Sequence, residues 1–228
     1  MKKMLMAVVA VVLIVVISVS ATFAYLTAND EVVNTFTIGK VQIKLDEADV
    51  KPDGTYETNH DSRVQANDYK LLPGHTYIKD PTVTVLKNSE KAYIRMLVKV
   101  EGLDGLKAVF SADKYYGAGD VFLLQNFVGG WDSTLWVFDN FTTDTYEFRY
   151  YAPVDTLDGK DLVLDDLFET ITIPGEDVTN ENIDKLDGVK ITVTAQAIQA
   201  DGFANADAAW DKFVAHVDPA PVDPAPAA

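Results

Sequence analysis

Apolar and polar residues alternate with a period of two along several parts of the chain. Side chains of a β-strand point alternately to its two faces, so this period predicts strands with one apolar face. The longest runs span residues 92–101 and 189–197. In the first run the apolar positions are Ala92, Ile94, Met96, Val98 and Val100. Residues 134–141 and 146–152 flank a short connection at 142–145, which predicts a β-hairpin.

Two further stretches carry features that interrupt strands. In residues 34–45 the apolar positions change parity at Gly39, which predicts one bent strand with a β-bulge at this glycine. Residues 46–69 are polar and acidic and contain Pro52 and Gly54. We therefore expect a long loop there, without a core of its own.

Helical signals are short and lie between the predicted strands. Residues whose side-chain oxygens can cap a helix precede three candidate segments. These are Asp120 before residues 121–128, Thr179 before 180–186, and Asn205 before a helix through Val217. The whole pattern predicts a mostly β fold: an antiparallel, jelly-roll-like sandwich with short connecting helices, preceded by a signal-peptide helix.

The N-terminus has the pattern of an export signal. Lys2 and Lys3 precede a long apolar run, and small residues lead up to Ala24. We expect a signal peptide at residues 1–24, cleavage between Ala24 and Tyr25, and a secreted product. The alternative is a retained membrane anchor, because no charged residue occurs at positions 4–29.

The other end of the chain changes in composition after Val217. Residues 218–228 are rich in Pro and Ala in a near-repeat, which predicts an extended, disordered tail. The predicted organisation is therefore a signal peptide at 1–24, an N-terminal segment at 25–34, a β-sandwich domain at 35–217 and the tail.

Charge and cysteine content exclude several classes of function. The chain has 19 Lys and Arg against 35 Asp and Glu, a net charge of −16. Such a surface repels phosphate, so nucleic acid is excluded as a partner, and a membrane is expected only through an uncleaved signal. The chain contains no Cys, which excludes disulfides and thiolate nucleophiles. The fold has to rest on packing and hydrogen bonds.

A search for catalytic or metal-binding motifs assigns no catalytic residue, no metal ligand and no cofactor. The three histidines, His60, His75 and His216, do not occur in a zinc-binding motif. Acidic residues at 46–49 and 155–166 offer oxygen ligands for Ca²⁺, but their spacing does not match a helix-loop-helix calcium site. A solvated acidic face is the favoured interpretation of both segments.

Short segments spread over residues 21–203 resemble the TasA/camelysin family of exported proteins of Gram-positive bacteria. They include residues 21–27, 34–39, 72–74 and 92–95. The longest matching motif comprises Ala197, Ile198, Gln199, Ala200, Asp201, Gly202 and Phe203. The aromatic-rich residues 115–151 match no known motif.

The resemblance implies a jelly-roll subunit that self-associates into extracellular fibres of a biofilm matrix, after export that depends on a dedicated signal peptidase. In this family the N-terminal segment of one subunit completes a sheet in the next. The resemblance also implies an alternative, a cell-surface metallopeptidase. That activity would require a metal site built from dispersed groups such as His60, His75 and acidic residues.

The N-terminal segment 25–34 is the candidate donor strand. Cleavage after Ala24 would free it, and an open sheet edge has N–H and C=O groups that can accept a strand. Burial of Leu26, Val32 and Val33 would add to the ladder hydrogen bonds. The alternative is an unstructured stub, because few of its residues are strongly apolar.

Overall fold

The structure is a computed structural model that describes residues 39–57, 61–110, 124 and 127–213. The predicted signal peptide, its cleavage site, the donor segment 25–34 and the tail 218–228 lie outside these residues. Within the described ranges, no helix is both long and apolar enough to span a membrane.

The described residues are mostly β, as predicted, and all their strand pairs are antiparallel. In chain order the strands are β1 (Ile43–Ala48), β2 (Arg63–Val64), β3 (Thr76–Ile78), β4 (Thr82–Val85), β5 (Ala92–Glu101), β6 (Val128–Gly129), β7 (Trp136–Thr142), β8 (Thr145–Tyr150), β9 (Leu162–Val163), β10 (Thr170–Thr172) and β11 (Lys190–Gln199). They form three sheets with the orders β2-β1-β4-β9, β3-β10-β6 and β11-β5-β8-β7.

Strand β5 is the centre of the core, and its predicted alternation is confirmed. Ala92, Ile94, Met96, Val98 and Val100 are at most 1% exposed. They pack with apolar residues from all three sheets, among them Tyr77, Val83, Trp136 and Ile171. The second predicted run forms β11, which pairs with β5 along its whole length. The two longest runs therefore lie side by side.

The predicted hairpin is confirmed as β7 and β8. Its loop is shorter than predicted, because Thr142 and Thr145 pair and leave only Thr143 and Asp144 between the strands. Thr143 adopts a positive φ of 57°, which the tight turn requires. The ladder shifts register between Phe138 and Asn140, so Asp139 is the extra residue of a β-bulge.

The predictions for residues 34–69 are partly right: residues 43–45 lie in a strand and 65–69 in a loop, but the start of the strand and the limits of the loop differ from those predicted. Residues 39–42 are not part of a strand, and β1 begins only at Ile43. A Cβ atom at Gly39 would lie 2.7 Å from Cγ of the exposed Glu90 side chain. The predicted loop starts inside β1, where Asp46 and Glu47 are buried, and it also contains β2. Ion pairs make this burial possible, as described below.

The helices are shorter than predicted. The Asn205 side chain caps helix α2 (Ala206–Trp210) as predicted, but the helix ends at Trp210, and Val217 lies outside the described residues. The segment at 180–186 is a 3₁₀-helix over Ile183–Leu186. Most of 121–128 is not described, and Val128 belongs to β6 instead of a helix.

Helix α1 (Leu103–Val109) was not predicted from the sequence. It contains Gly105, which is unfavourable inside a helix. A Cβ atom there would overlap the carbonyl oxygen of Lys185. The glycine therefore lets α1 pack directly on the backbone of the 3₁₀-helix.

The polar face of the β5 sheet is covered by helix α2. The Arg95 guanidinium lies 4.2 Å from the Trp210 ring centroid and 5.1 Å from that of Phe213. Arg95 also hydrogen-bonds Gln196 and Glu147, and Arg149 forms an ion pair with Asp207 of α2. Cation–π contacts and charged hydrogen bonds thus hold the C-terminal helix on this face.

Candidate functional site

Strand β11 has one edge with no strand partner among the described residues. Its other edge pairs with β5 over ten residues. In β5, the N–H groups of Val100 and Ala92 donate to Asp144 and Val154, on the side away from β11. Their cross-strand partners are Ile191 and Gln199, so in an antiparallel ladder these residues also direct N–H and C=O away from β5. Alternate residues of β11 therefore present backbone groups to the open edge.

A groove of about 1390 Å³ lies beside this edge. We call it the β1–β11 groove. Its walls come from residues 43–47 of β1, from residues 65–69, and from residues 188–193 at the start of β11. It is larger than the roughly 300–1,000 Å³ of a typical small-molecule pocket. Its lining includes partly buried apolar residues that pack against the core: Ile43, Leu45, Tyr69, Leu71, Val189, Ile191 and Val193.

The β1 wall of the groove also has a partly free edge. Ile43 to Asp46 pair with β4 on one side, while β2 covers only Glu47 and Ala48 on the other. Cα atoms of β1 and β11 come within 8 Å of one another, but no ladder joins the two strands in the described residues. The groove thus lies between two strand edges.

A buried polar cluster lines the groove near the end of β1. Lys79 Nζ lies 2.5 Å from Glu47 Oε2, and the two residues are 9% and 7% exposed. The other carboxylate oxygen of Glu47 accepts a hydrogen bond of 2.9 Å from Asn67 Nδ2. Because a lone buried charge is costly, the pairing of Lys79 with Glu47 allows both to lie inside the fold.

Tyr69 packs against this cluster. Its ring centroid lies 5.7 Å from Lys79 Nζ, and its hydroxyl donates to the carbonyl oxygen of Ile78. Burial, together with the negative charges of Glu47 and Asp80, raises the pKa of the Tyr69 hydroxyl. Tyr69 therefore stays a neutral hydrogen-bond donor at the wall of the groove.

A second cluster, centred on Arg63, holds β1, β2 and the start of β4 together. The guanidinium binds the carboxylates of Asp46 and Asp80 and donates to Thr82 Oγ1 at 2.7 Å. Burial opposes ionisation of Asp46, but hydrogen bonds and charges from Lys44 and Arg63 outweigh it and lower the pKa of that carboxyl. Asp46 is therefore ionised beside Arg63 at neutral pH.

The structure describes only some of the residues that the sequence analysis singled out. Ala24, Tyr25, Leu26, Val32 and Val33 lie outside the described residues. Ala197, Ile198 and Gln199 form the end of β11, and the Ala200 N–H donates to Lys91 at 2.7 Å. Asp201 and Gly202 form a turn that leads to Phe203. The segment 197–203, which the sequence analysis singled out by a resemblance, thus covers the end of β11 and the turn that follows it.

The structure does not assemble the dispersed metal site. His60 and His216 lie outside the described residues, and Nε2 of His75 is 2.5 Å from the carbonyl oxygen of Asp53. Among the residues described, no group of three or more His, Asp or Glu side chains is arranged to hold a metal ion. In the acidic segment 46–49, Asp46 and Glu47 bind Arg63 and Lys79. Calcium binding stays a prediction.

Sequence reasoning missed the cluster of Glu47, Asn67 and Lys79. These residues are 20 and 32 positions apart, and no local motif connects them. Only the fold of 64–80 back onto β1 brings them together. Comparison with known proteins adds no assignment, since no family model, curated protein or solved structure matches the chain.

Proposed function

We propose that the protein is a secreted structural subunit of extracellular fibres in a biofilm matrix. In this proposal the N-terminal segment 25–34 of one subunit adds as a strand to the open edge of β11 in the next. The described sheets would form a jelly-roll-like sandwich that a neighbouring subunit completes. Export would depend on a dedicated signal peptidase that cleaves between Ala24 and Tyr25.

The observation that carries the proposal is the incomplete cover of the apolar side of β11. Val98 and Val100 of β5 are fully buried, whereas their cross-strand partners Val193 and Ile191 are only partly buried and line the groove. An added strand would cover these side chains and pair with the outward backbone groups of β11. The segment 25–34 has the same length as β11, ten residues.

The width of the groove indicates how the strand would enter. Neighbouring strands lie about 4.8 Å apart, so a strand inserted between two edges needs them roughly 9.6 Å apart. At their nearest, Cα atoms of β1 and β11 are within 8 Å. We therefore expect the donor to pair first with β11, and β1 to move outward if the donor pairs on both sides.

Charge sets the conditions for assembly. Each chain has a net charge of −16, and removal of Lys2 and Lys3 with the signal makes it more negative. Repulsion between subunits opposes association, while salt, divalent cations and lower pH screen or neutralise carboxylates. Fibre formation should therefore increase under these three conditions.

The experiment compares the mature chain with a chain that lacks residues 25–34. Light scattering and electron microscopy, with and without added salt or Ca²⁺, should show fibres only for the mature chain. The truncated chain should remain a folded monomer, because the donor contributes to the next subunit and not to its own core. Fibres formed equally well by both chains would contradict strand addition.

A peptide test addresses the acceptor separately. A synthetic peptide of residues 25–34 should bind the truncated chain and block fibre growth by the mature chain, whereas a scrambled peptide of the same composition should do neither. Ala195→Pro in the acceptor should abolish peptide binding, since it removes an N–H that faces the open edge. Unchanged binding by this variant would show that the peptide does not pair with the open edge of β11.

A further inference from the structure

The carboxylate of Glu47 contacts both the amine of Lys79 and the carboxamide of Asn67. One oxygen of Glu47 contacts Lys79 Nζ at 2.5 Å, and the other contacts Asn67 Nδ2 at 2.9 Å. The amine and the carboxamide thus flank the same carboxylate. This is the set of groups needed for amide exchange: a nucleophile, a proton carrier and an electrophilic carbonyl carbon.

Hydrogen bonds to the backbone fix the orientation of the Asn67 carboxamide. Its Oδ1 accepts from the Val50 N–H at 3.0 Å, and its Nδ2 donates to the Ala48 carbonyl oxygen at 2.8 Å. A donor on one side and an acceptor on the other exclude the flipped amide. The Val50 N–H therefore polarises the carbonyl and stands where negative charge would develop on Oδ1.

We propose that Lys79 and Asn67 become joined by an intramolecular isopeptide bond. Glu47 takes a proton from the Lys79 ammonium, and the free amine attacks Cγ of Asn67. The Nζ–Cγ bond forms while the Cγ–Nδ2 bond breaks. Protons from Nζ and from Glu47 pass to Nδ2, which leaves as ammonium, so the carboxylate of Glu47 is restored and no oxidant, reductant or co-reactant is required.

The surroundings favour proton transfer between the amine and the carboxylate. Glu47 and Lys79 are almost completely buried, and the Tyr69 ring lies beside Nζ, so these two groups are held away from bulk water. β1 and the backbone around it hold the reacting groups near one another in the folded chain. Little further conformational entropy is therefore lost when they react. The same residues line the β1–β11 groove, which gives the leaving group a path to solvent.

The bond would close a loop of residues 67–79 beside Glu47 of β1. It requires only groups within one chain and is independent of fibre assembly. A covalent link at this position would keep residues 67 and 79 together when the chain is heated or pulled. It would supply a cross-link to a protein that has no Cys.

Intact mass spectrometry of the purified, folded full chain tests the proposal directly. The mass should be lower than the sequence mass by one ammonia, after the N-terminus has been established by sequencing. Trypsin should not cleave after Lys79, and residues 64–70 should appear joined to residues 71–87. A folded chain with the unmodified mass, together with ordinary tryptic cleavage after Lys79, would overturn the proposal.

Variants separate the covalent bond from a structural ion pair. Lys79→Arg keeps the positive charge and should retain the ammonia, as should Glu47→Gln, which removes the proton carrier. Asn67→Asp should lose one water instead of ammonia, and Lys51→Arg, at an exposed lysine, should behave like the natural chain. Ammonia loss that persists in Lys79→Arg would exclude this lysine and overturn the assignment.

Discussion

The sheet centred on β5 has two edges, and they differ in the properties that govern strand addition. Strand β11 pairs with β5 in an unbroken register of ten residues, and its apolar side is incompletely covered. Strand β7 contains a bulge at Asp139, and this carboxylate forms an ion pair of 2.9 Å with Arg149. Val137 and Phe138 are exposed on the same strand. The β11 edge is therefore regular, whereas the β7 edge is interrupted by a bulge next to its exposed apolar residues.

Bulges and charges on an edge strand prevent it from pairing with another chain. The comparison therefore indicates that β7 is protected against pairing, whereas no bulge or strand protects the outer edge of β11 within the ranges that the structure describes. If the donor segment and its acceptor edge are different surfaces, each subunit binds the next head to tail. Contacts of this kind produce open filaments unless a ring closes.

The largest effect is expected from a charge placed on the central strand. Val100→Asp should cost several kcal/mol, because Val100 is 1% exposed and the new carboxylate would have no partner. Ile191→Asp, directly across the ladder, should cost less, since Ile191 is only partly buried. Thr192→Asp is the mild control on the opposite face. Denaturant unfolding measures all three, and equal losses for Val100 and Ile191 would contradict incomplete cover of β11.

Two proline substitutions on β11 separate ladder pairing from edge pairing. Thr194→Pro should destabilise the fold by about 1 kcal/mol or more, because its N–H faces β5 and the ladder loses a hydrogen bond. Ala195→Pro should be milder, since its N–H faces the open edge, yet it should block assembly. Thermal unfolding and light scattering give the two readouts. If Ala195→Pro were the less stable variant, the N–H of Ala195 would face β5 and that of Thr194 the open edge, contrary to our assignment.

Removal of Asp139 should make the β7 edge resemble β11. Deleting the extra residue restores a regular register with β8 and also removes the ion pair with Arg149. We expect a modest rise in self-association, measured by size-exclusion chromatography with light scattering on a chain that lacks residues 25–34. Asp139→Asn, which keeps the bulge, is the control. If the deletion variant stays monomeric, the bulge does not protect this edge.

Acid should weaken the contact between β1 and Arg63, as the smallest of the four effects. The pKa of Asp46 is lowered from its ordinary value of 3.8, so its contribution to stability is present above that value and is lost as the pH falls through the lower folded value. Asp46→Asn should be less stable at neutral pH and should lose less stability on acidification. Hydrogen exchange in β1 of the natural chain and of Asp46→Asn at several pH values tests this, and equal changes on acidification in both chains would contradict it.

Long alternating runs were predictable from the sequence because one side of each strand is apolar. β5, β8 and β11 follow this rule, whereas β7 exposes both Val137 and Phe138 next to its bulge. Strand β1 does not follow the rule. Its second half contains Asp46 and Glu47, which are buried because they form ion pairs with Arg63 and Lys79. Those partners are distant in sequence, so the polar residues indicated a loop.

The groove was beyond prediction for a related reason. Its walls come from two sheets, and their proximity depends on how the sheets pack, which a local pattern does not encode. Helix α1 was missed because Gly105 argues against a helix, and only its contact with the Lys185 backbone explains it. Asn205 was predictable as a cap because the signal is local.

The position of α2 on the sheet determines where a second protein can be fused to the chain. Phe213, the last described residue, lies against Arg95 on the polar face of the sheet, whereas Ile191 and Val193 of the groove lie on the opposite, apolar face of the same sheet. A fluorescent protein or enzyme fused directly after Phe213 would be attached on the side of the sheet that the groove does not use. Such fusions offer a way to label or functionalise the surface of an assembly.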